Sequence, residues 1–311
     1  MSNITALLFI IGLFIRPNIM GDEIYRGPVN KNILIPLTKA QPEFTAEDIQ
    51  EASYNDILAE AGTPLLYDIP NRTDNIILAC GFINETVVKP GAEFSFNQTV
   101  GIRTEDRGFK PAPSFLKGQV EDSIGGGICQ VSSTLYNACL SSNLEILSRT
   151  NHSMFSDYIE KPGLDAAVSW NAIDYRFRNN TDNPIKIFAW VENTIVYVKI
   201  MGTKTNDYTV DMECKILSTT PYQTIYKDNP GLEPGQTNIV QDPHTGYVVE
   251  TYRVIRDASG NVINRTLEAT SMYKKTDEII EHNPQGSPAN QPLDPSTTPP
   301  GPSNSPSAPD S

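Results

Sequence analysis

Three consecutive glycines, Gly125-Gly126-Gly127, run straight into a segment whose apolar positions Val131, Leu135, Ala138 and Cys139 recur at helical spacing. The stretch from Ile124 to Cys139 therefore predicts a turn free of Cβ constraints that opens a helix, with Cys129 in the first helical turn. Unpaired backbone N–H groups and the positive end of the helix dipole gather there, lowering a thiol pKa and favouring the thiolate. The same turn, through Gly127 and Gln130, is a candidate oxyanion site. Ser132, Ser133 and Tyr136 follow Cys129 by three, four and seven residues, so they share its helical face and are candidate substrate contacts. The competing reading is a buried cysteine acting as a small hydrophobe.

After this helix the apolar period shortens from about four to two. Leu144 to Arg149, Ala166 to Trp170, Asp174 to Arg178, Ile185 to Val191 and Ile195 to Ile200 read as strands, with turns at Pro162-Gly163, Asn179-Asn180 and Glu192-Asn193. Ahead of it, Thr45 to Asp48 reads as the start of a helix carrying Ile49, Ala52, Ile57 and Leu58 on its inner side. A second helix is expected from Thr73-Asp74 through Ile76, Ile77, Ala79 and Cys80. Beyond Gly202, Thr209 to Ile216, Thr224 to Tyr226, Tyr247 to Arg256 and Val262 to Tyr273 read as strands joined by glycine turns. The fold class is α+β: a domain whose nucleophile-bearing helix packs on a mostly antiparallel sheet, followed by a small all-β domain and a disordered tail.

A cysteine nucleophile needs a base, and histidine titrates nearest neutrality. The chain has three histidines: His244 lies in a turn of the second domain and His282 near the tail, which leaves His152, just past the strand Leu144 to Arg149. A carboxylate should orient the imidazole; Asp174 and Asp165 are the nearby choices. Arg149 and Arg176 are candidate partners for a substrate carboxylate. The four cysteines, Cys80, Cys129, Cys139 and Cys214, form neither a disulfide framework nor a zinc spacing, so neither metal nor cofactor is expected.

A net charge of -13 argues against nucleic acid or an anionic membrane surface as partner, since both are read by clustered Lys and Arg. Ile4 to Ile15 is an apolar run too short to span a bilayer and of the length of a secretory signal core, although it lacks a basic n-region. Export to the outer face of the envelope is expected, with the membrane touched only through an N-terminal anchor. From Pro284 the chain is rich in Pro, Ser, Thr, Asn and Gln and reads as an extended, disordered tail.

Several motifs fall in one order: R-T-D-N-I-I-L-A-C from Arg72, P-G-A-E-F-S-F-N from Pro90, G-G-G-I-C-Q-V-S-S-T-L-Y-N-A from Gly125, N-H-S from Asn151, G-L-D-A-A-V from Gly163 and D-Y-R-F-R-N-N-T from Asp174. In these the chain from about Pro64 to Gly202 resembles a VanW domain. The segment from Asn206 to His282, with Pro230-Gly231, Pro234-Gly235, Gly246, Tyr252 and Gly260, is similar to the G-five domain of Gram-positive envelope proteins. The resulting division is a signal or anchor segment at 1–21, an N-terminal segment at 22–63, a VanW-like domain at 64–203, a G-five-like domain at 206–282 and the tail at 283–311. The resemblance implies a vancomycin-resistance-type surface protein whose partners are peptidoglycan stem peptides and glycan strands. It further implies an L,D-transpeptidase, in which the Cys129 thiolate attacks the L,D bond of a donor tetrapeptide stem, releases D-alanine and passes the acyl group to an amine of a second stem. A hydrolase using the same acyl-enzyme, or a non-catalytic wall-binding protein in which Cys129 is structural, shares the same residues.

Overall fold

The computed structural model describes residues 54–66, 69–116 and 119–284. The apolar segment Ile4 to Ile15, the expected helix start at Thr45 to Asp48 and the tail beyond residue 284 lie outside the described residues.

Period-two burial sets the largest sheet. In β8 (Ile185–Glu192) and β9 (Ile195–Gly202) alternate residues are buried, as in strands that put one face on a core. A two-residue turn joins them, with Asn193 and Thr194 both at positive φ (49° and 61°), the backbone that suits the twist of a tight hairpin. β1 (Asp56–Pro64) pairs antiparallel with β9 along its whole length, and β2 (Val87–Val88) closes the other edge, giving the order β1-β9-β8-β2. Ile57 and Leu58, expected inside a helix, thus belong to a strand. The open edge of β9 supplies a ladder partner that overrides their local helical spacing. The same pairing draws residues 56–63, assigned from sequence to a preceding segment, into the sheet of the following domain.

Two helices cover this sheet: α1 (Pro70–Ile83) lies on β8, while α3 (Ile128–Ser141) lies on β1 and β9, with the single turn of α2 (Phe96–Val100) beside α1. Pro70 opens α1 at a position where its missing N–H has no helical partner to lose. Val131, Leu135, Ala138 and Cys139, the apolar face expected of α3, are all buried, together with Ile76, Ala79 and Ile83 of α1. A second antiparallel sheet has the order β3-β7-β6, from Glu93–Ser95, Arg176–Arg178 and Glu145–Ser148. The hairpin β4 (Pro111–Leu116) and β5 (Gln119–Ile124) leads into the glycine turn.

Ala166 to Trp170, expected as a strand, joins no sheet and makes only a bridge between Ser169 and Ile173. Its backbone bonds instead to α3: Ser132 Oγ donates to Ala166 O at 2.6 Å, and Ala166 N donates to Ser133 Oγ at 3.0 Å. Side chains of a helix have taken the place of a neighbouring strand.

Among the described residues no helix follows Ser141. β10 (Thr209–Thr220), β13 (Gly246–Arg256) and β14 (Val262–Tyr273) form an antiparallel sheet in the order β10-β13-β14. A smaller sheet has the order β11-β15-β12, from Thr224–Asp228, Glu278–His282 and Thr237–Gln241, with β11 parallel to β15. The architecture is mostly antiparallel sheet with few helices.

Candidate active site

The site begins with the glycine turn. Asn75, fully buried on α1, donates from Nδ2 to Lys110 O (2.9 Å) and Gly126 O (3.0 Å) and accepts from Lys110 N (2.8 Å), fastening the turn to the helix. A Cβ on Gly126 would collide with the Ala112 carbonyl, and one on Gly127, which caps α3 at φ 100°, would lie 2.7 Å from Arg72 Cγ. Only glycine admits this approach. The N–H groups of Ile128 and Gln130 donate back to Gly125 O (3.3 Å) and Gly127 O (3.0 Å), leaving that of Cys129 as the first-turn donor nearest the thiol.

Cys129 Sγ lies 3.4 Å from both the N and the O of Val168 and is close enough to the His152 side chain for the two charges to act on each other. His152 follows β6 and turns its other ring nitrogen, Nδ1, to Asp165 Oδ2 at 2.6 Å; its backbone N–H donates to the same oxygen at 2.7 Å. Asp165 Oδ1 in turn accepts from Arg149 Nη2 at 2.8 Å and from Tyr273 Oη at 2.5 Å. Sulfur, imidazole and carboxylate therefore form one continuous chain, with Asp165 wholly inside the protein and the His152 side chain 17% exposed.

The charges in this chain support one another. Burial raises the Asp165 carboxyl, but the Arg149 guanidinium and then the His152 hydrogen bonds hold it well below the usual carboxylate range. Burial works against the His152 imidazolium, yet Tyr158, Asp165 and Cys129 carry its pKa well above the ordinary histidine value. For Cys129, burial opposes the thiolate, while the hydrogen bond and charge of His152, the Val168 backbone and the Arg103 charge together bring the thiol below its ordinary value. Cys80 and Cys139 have no histidine beside them, and burial, which at Cys139 outweighs Tyr175 and Arg253, pushes their thiols up to about 12.

The family described as VanW like protein matches residues 71–201, and the G5 domain family matches residues 215–284. The chain carries a VanW-like domain followed by a G5 domain. The chain is similar to the uncharacterized protein YoaR of Bacillus subtilis (strain 168), 47% identical over 119 residues, which cover 38% of this chain and 39% of that protein. It is also similar to the vancomycin B-type resistance protein VanW of Enterococcus faecalis (strain ATCC 700802 / V583), 30% identical over 149 residues, covering 46% of this chain and 53% of that one. The matches thus span between two fifths and about half of these relatives' lengths. Among solved structures, the G5 domain of an IgA1 protease shares 20% identity with 26% of this chain, over 96% of its own length, at a TM-score of 0.18.

Within the VanW-like domain, several residues singled out from sequence are placed away from the sulfur's open side. Asp174 does not face His152: its Oδ1 accepts from Asn97 N (2.9 Å) and its Oδ2 from Ser95 Oγ (2.6 Å), fixing the start of α2 at the edge of a cleft that Trp170 also lines. Ser132 and Ser133 are fully buried, and their hydroxyls bond the Cys129 and Ala166 carbonyls. Tyr136 is buried edge-on to Tyr175, under the Arg149 guanidinium. Arg149 donates to Asp165 O, Asp165 Oδ1, Gly163 O and Ser271 Oγ, so it supports the carboxylate from inside and offers nothing to a ligand. Gln130 ties α3 to β1 through Thr63 Oγ1 (3.1 Å) and Pro64 O (2.9 Å) and accepts from Arg72 Nη2 (2.7 Å), so neither its amide nor its N–H serves an oxyanion. Arg176 is an exposed partner of Glu93 on the β3-β7-β6 sheet.

Three residues that the sequence reading passed over face this site. Arg103 acts on the Cys129 charge, lies over the rings of Phe96 and Trp170, and has Nε and Nη1 buried with no hydrogen-bond partner among the described residues. Tyr158 interacts with His152 and Cys129 from six residues beyond the histidine, an offset that carries no period to betray it. Tyr273 comes from the G5 domain, and its role depends on a contact 108 residues away along the chain.

Proposed function

We propose that the VanW-like domain is a cysteine acyltransferase of the cell wall, an L,D-transpeptidase acting on peptidoglycan stem peptides. The single observation that carries the reading is the alignment of Cys129, His152 and Asp165, in which the imidazole beside the sulfur is held by a buried carboxylate 2.6 Å from its Nδ1. Such a pair supplies a thiolate for attack and a proton for the leaving group at the same pH. The wall as substrate is supported by the relative named for vancomycin resistance and by the G5 domain, a type associated with binding cell-wall glycans.

In this mechanism the Cys129 thiolate adds to the scissile carbonyl of the donor stem. The N–H of Cys129, at the positive end of α3, faces the oxygen on which charge develops. As the tetrahedral species collapses, the C–N bond breaks and His152 gives its proton to the departing D-alanine amine, leaving a thioester on Cys129. The acceptor amine then attacks the thioester, His152 takes its proton, and the sulfur leaves as thiolate. Asp165 keeps the imidazole in line and stabilises it when protonated. Arg103, with two donors unpaired, is the cation left to meet a stem carboxylate.

Incubation of the protein with muropeptides followed by mass analysis tests this. An adduct on Cys129 together with a cross-linked dimer is the expected result. Cleaved stem without dimer would make the domain a hydrolase, and no adduct with wall binding intact would make it a binding module.

A further inference from the structure

β14 ends against the cysteine site. Its residues alternate in the manner of a strand, so Ser271 and Tyr273 share the buried face while Met272 points outward, 49% exposed. Ser271 Oγ accepts from Arg149 Nη1 at 2.6 Å, and Tyr273 Oη donates to Asp165 Oδ1 at 2.5 Å while accepting from Gly163 N at 2.7 Å. The strand's backbone holds the loop on both sides of the histidine: Asn151 Nδ2 donates to Met272 O (2.8 Å), and Lys274 N donates to Ser153 O (2.7 Å). Four consecutive residues of the G5 domain therefore hold the two loop residues flanking His152, the carboxylate behind it and the Arg149 guanidinium that pairs with that carboxylate.

We propose that Tyr273 is a positioning residue of the cysteine site, so that the G5 domain is a structural part of the catalytic apparatus as well as a wall-binding module. The inference rests on the Cys129, His152, Asp165 reading of the site. The carboxylate has two oxygens; Tyr273 and Arg149 hold one of them, which aims the other at His152. Without the hydroxyl, the Gly163 N–H loses its acceptor and competes for Oδ1, turning Oδ2 out of line with Nδ1. The imidazolium is then less well held, and the thiolate it stabilises becomes a weaker acid's anion. Burial keeps the phenol protonated, so it serves as a donor throughout the working range.

The test uses the full-length chain and follows iodoacetamide labelling of Cys129 against pH, resolved by peptide mass analysis, in wild type, Tyr273→Phe and Ser271→Ala. Phenylalanine keeps the edge-on packing with Phe155, and Cys80 and Cys139 stay unlabelled as long as the fold is intact. Tyr273→Phe should move the profile upward by about half a pH unit or more, a fall of about threefold in rate on the acid side. Ser271→Ala, acting through Arg149, should move it in the same direction by less. Tyr252→Phe, whose hydroxyl bonds Glu250 in the same domain, should leave it in place. A Tyr273→Phe profile that superimposes on wild type, or moves to lower pH, overturns the inference. A profile that moves as stated in a protein forming no adduct with muropeptides would sustain it and remove the proposed reaction instead.

Discussion

His152 meets Asp165 twice, through its backbone N–H at 2.7 Å and through Nδ1 at 2.6 Å, and both bonds fall on the same carboxylate oxygen. One oxygen thus fixes the loop and the ring together. The other ring nitrogen is directed at Cys129, and the tautomer is set by the carboxylate behind it.

Replacing His152 by alanine should move the Cys129 alkylation profile toward the ordinary thiol range, near pH 8.5, because only the Val168 N–H, Arg103 and the helix terminus remain to favour the thiolate. Acyl transfer should fall by a factor of roughly a hundred or more. Superimposable alkylation curves for the two proteins would remove His152 from the mechanism.

Asp165→Asn should be far more damaging than Asp174→Asn. Asp165 and Arg149 are both buried, and breaking such a pair leaves an uncompensated guanidinium, a loss on the order of 3–5 kcal/mol. Asp174 only caps α2, where the amide of asparagine retains an acceptor. Thermal melting and alkylation of both variants check this, and the reverse order would mean that the carboxylate behind His152 is not the one that matters.

The two cysteines of α3 should separate activity from stability. Cys129→Ala should melt close to wild type and form no acyl-enzyme, whereas Cys139→Ala, at 0% exposure in the core, should lose roughly 1 kcal/mol or more and keep its chemistry once folded. A stable, inactive Cys139→Ala would contradict the assignment.

Stability should depend on pH through His152 in a stated sense. Its folded pKa is raised, so its contribution is complete below the unfolded value of about 6.5 and is lost as the pH climbs through the folded value. Asp165 is shifted the other way; its contribution is complete above about 3.9 and is lost as the pH falls through its depressed folded value. Melting temperatures of wild type and His152→Gln should therefore differ most on the acid side of neutrality and converge as the pH rises. A gap that widens with rising pH would show that the imidazole is not held protonated.

Patterns that repeat over a few residues were legible in the chain itself. The glycine turn, the helix it opens, the alternating strands β8, β9, β13 and β14, and the pairing of Cys129 with His152 all follow from local spacing and from the scarcity of histidine. What the tertiary structure decided was every choice between equivalent residues. Asp165 and Asp174 look alike in sequence, and only the path of the 164–174 segment, held to α3 by Ser132 and Ser133, brings the first to His152 and sends the second to α2. Ile57 and Leu58 became a strand because β9 offered a free edge, a partner more than a hundred residues away. Tyr273 joined the site through a partner just as remote in sequence, the Asp165 carboxylate. Hydrogen bonds and burial act on atoms adjacent in space, and residues 108 positions apart along the chain leave no period by which their meeting can be read beforehand.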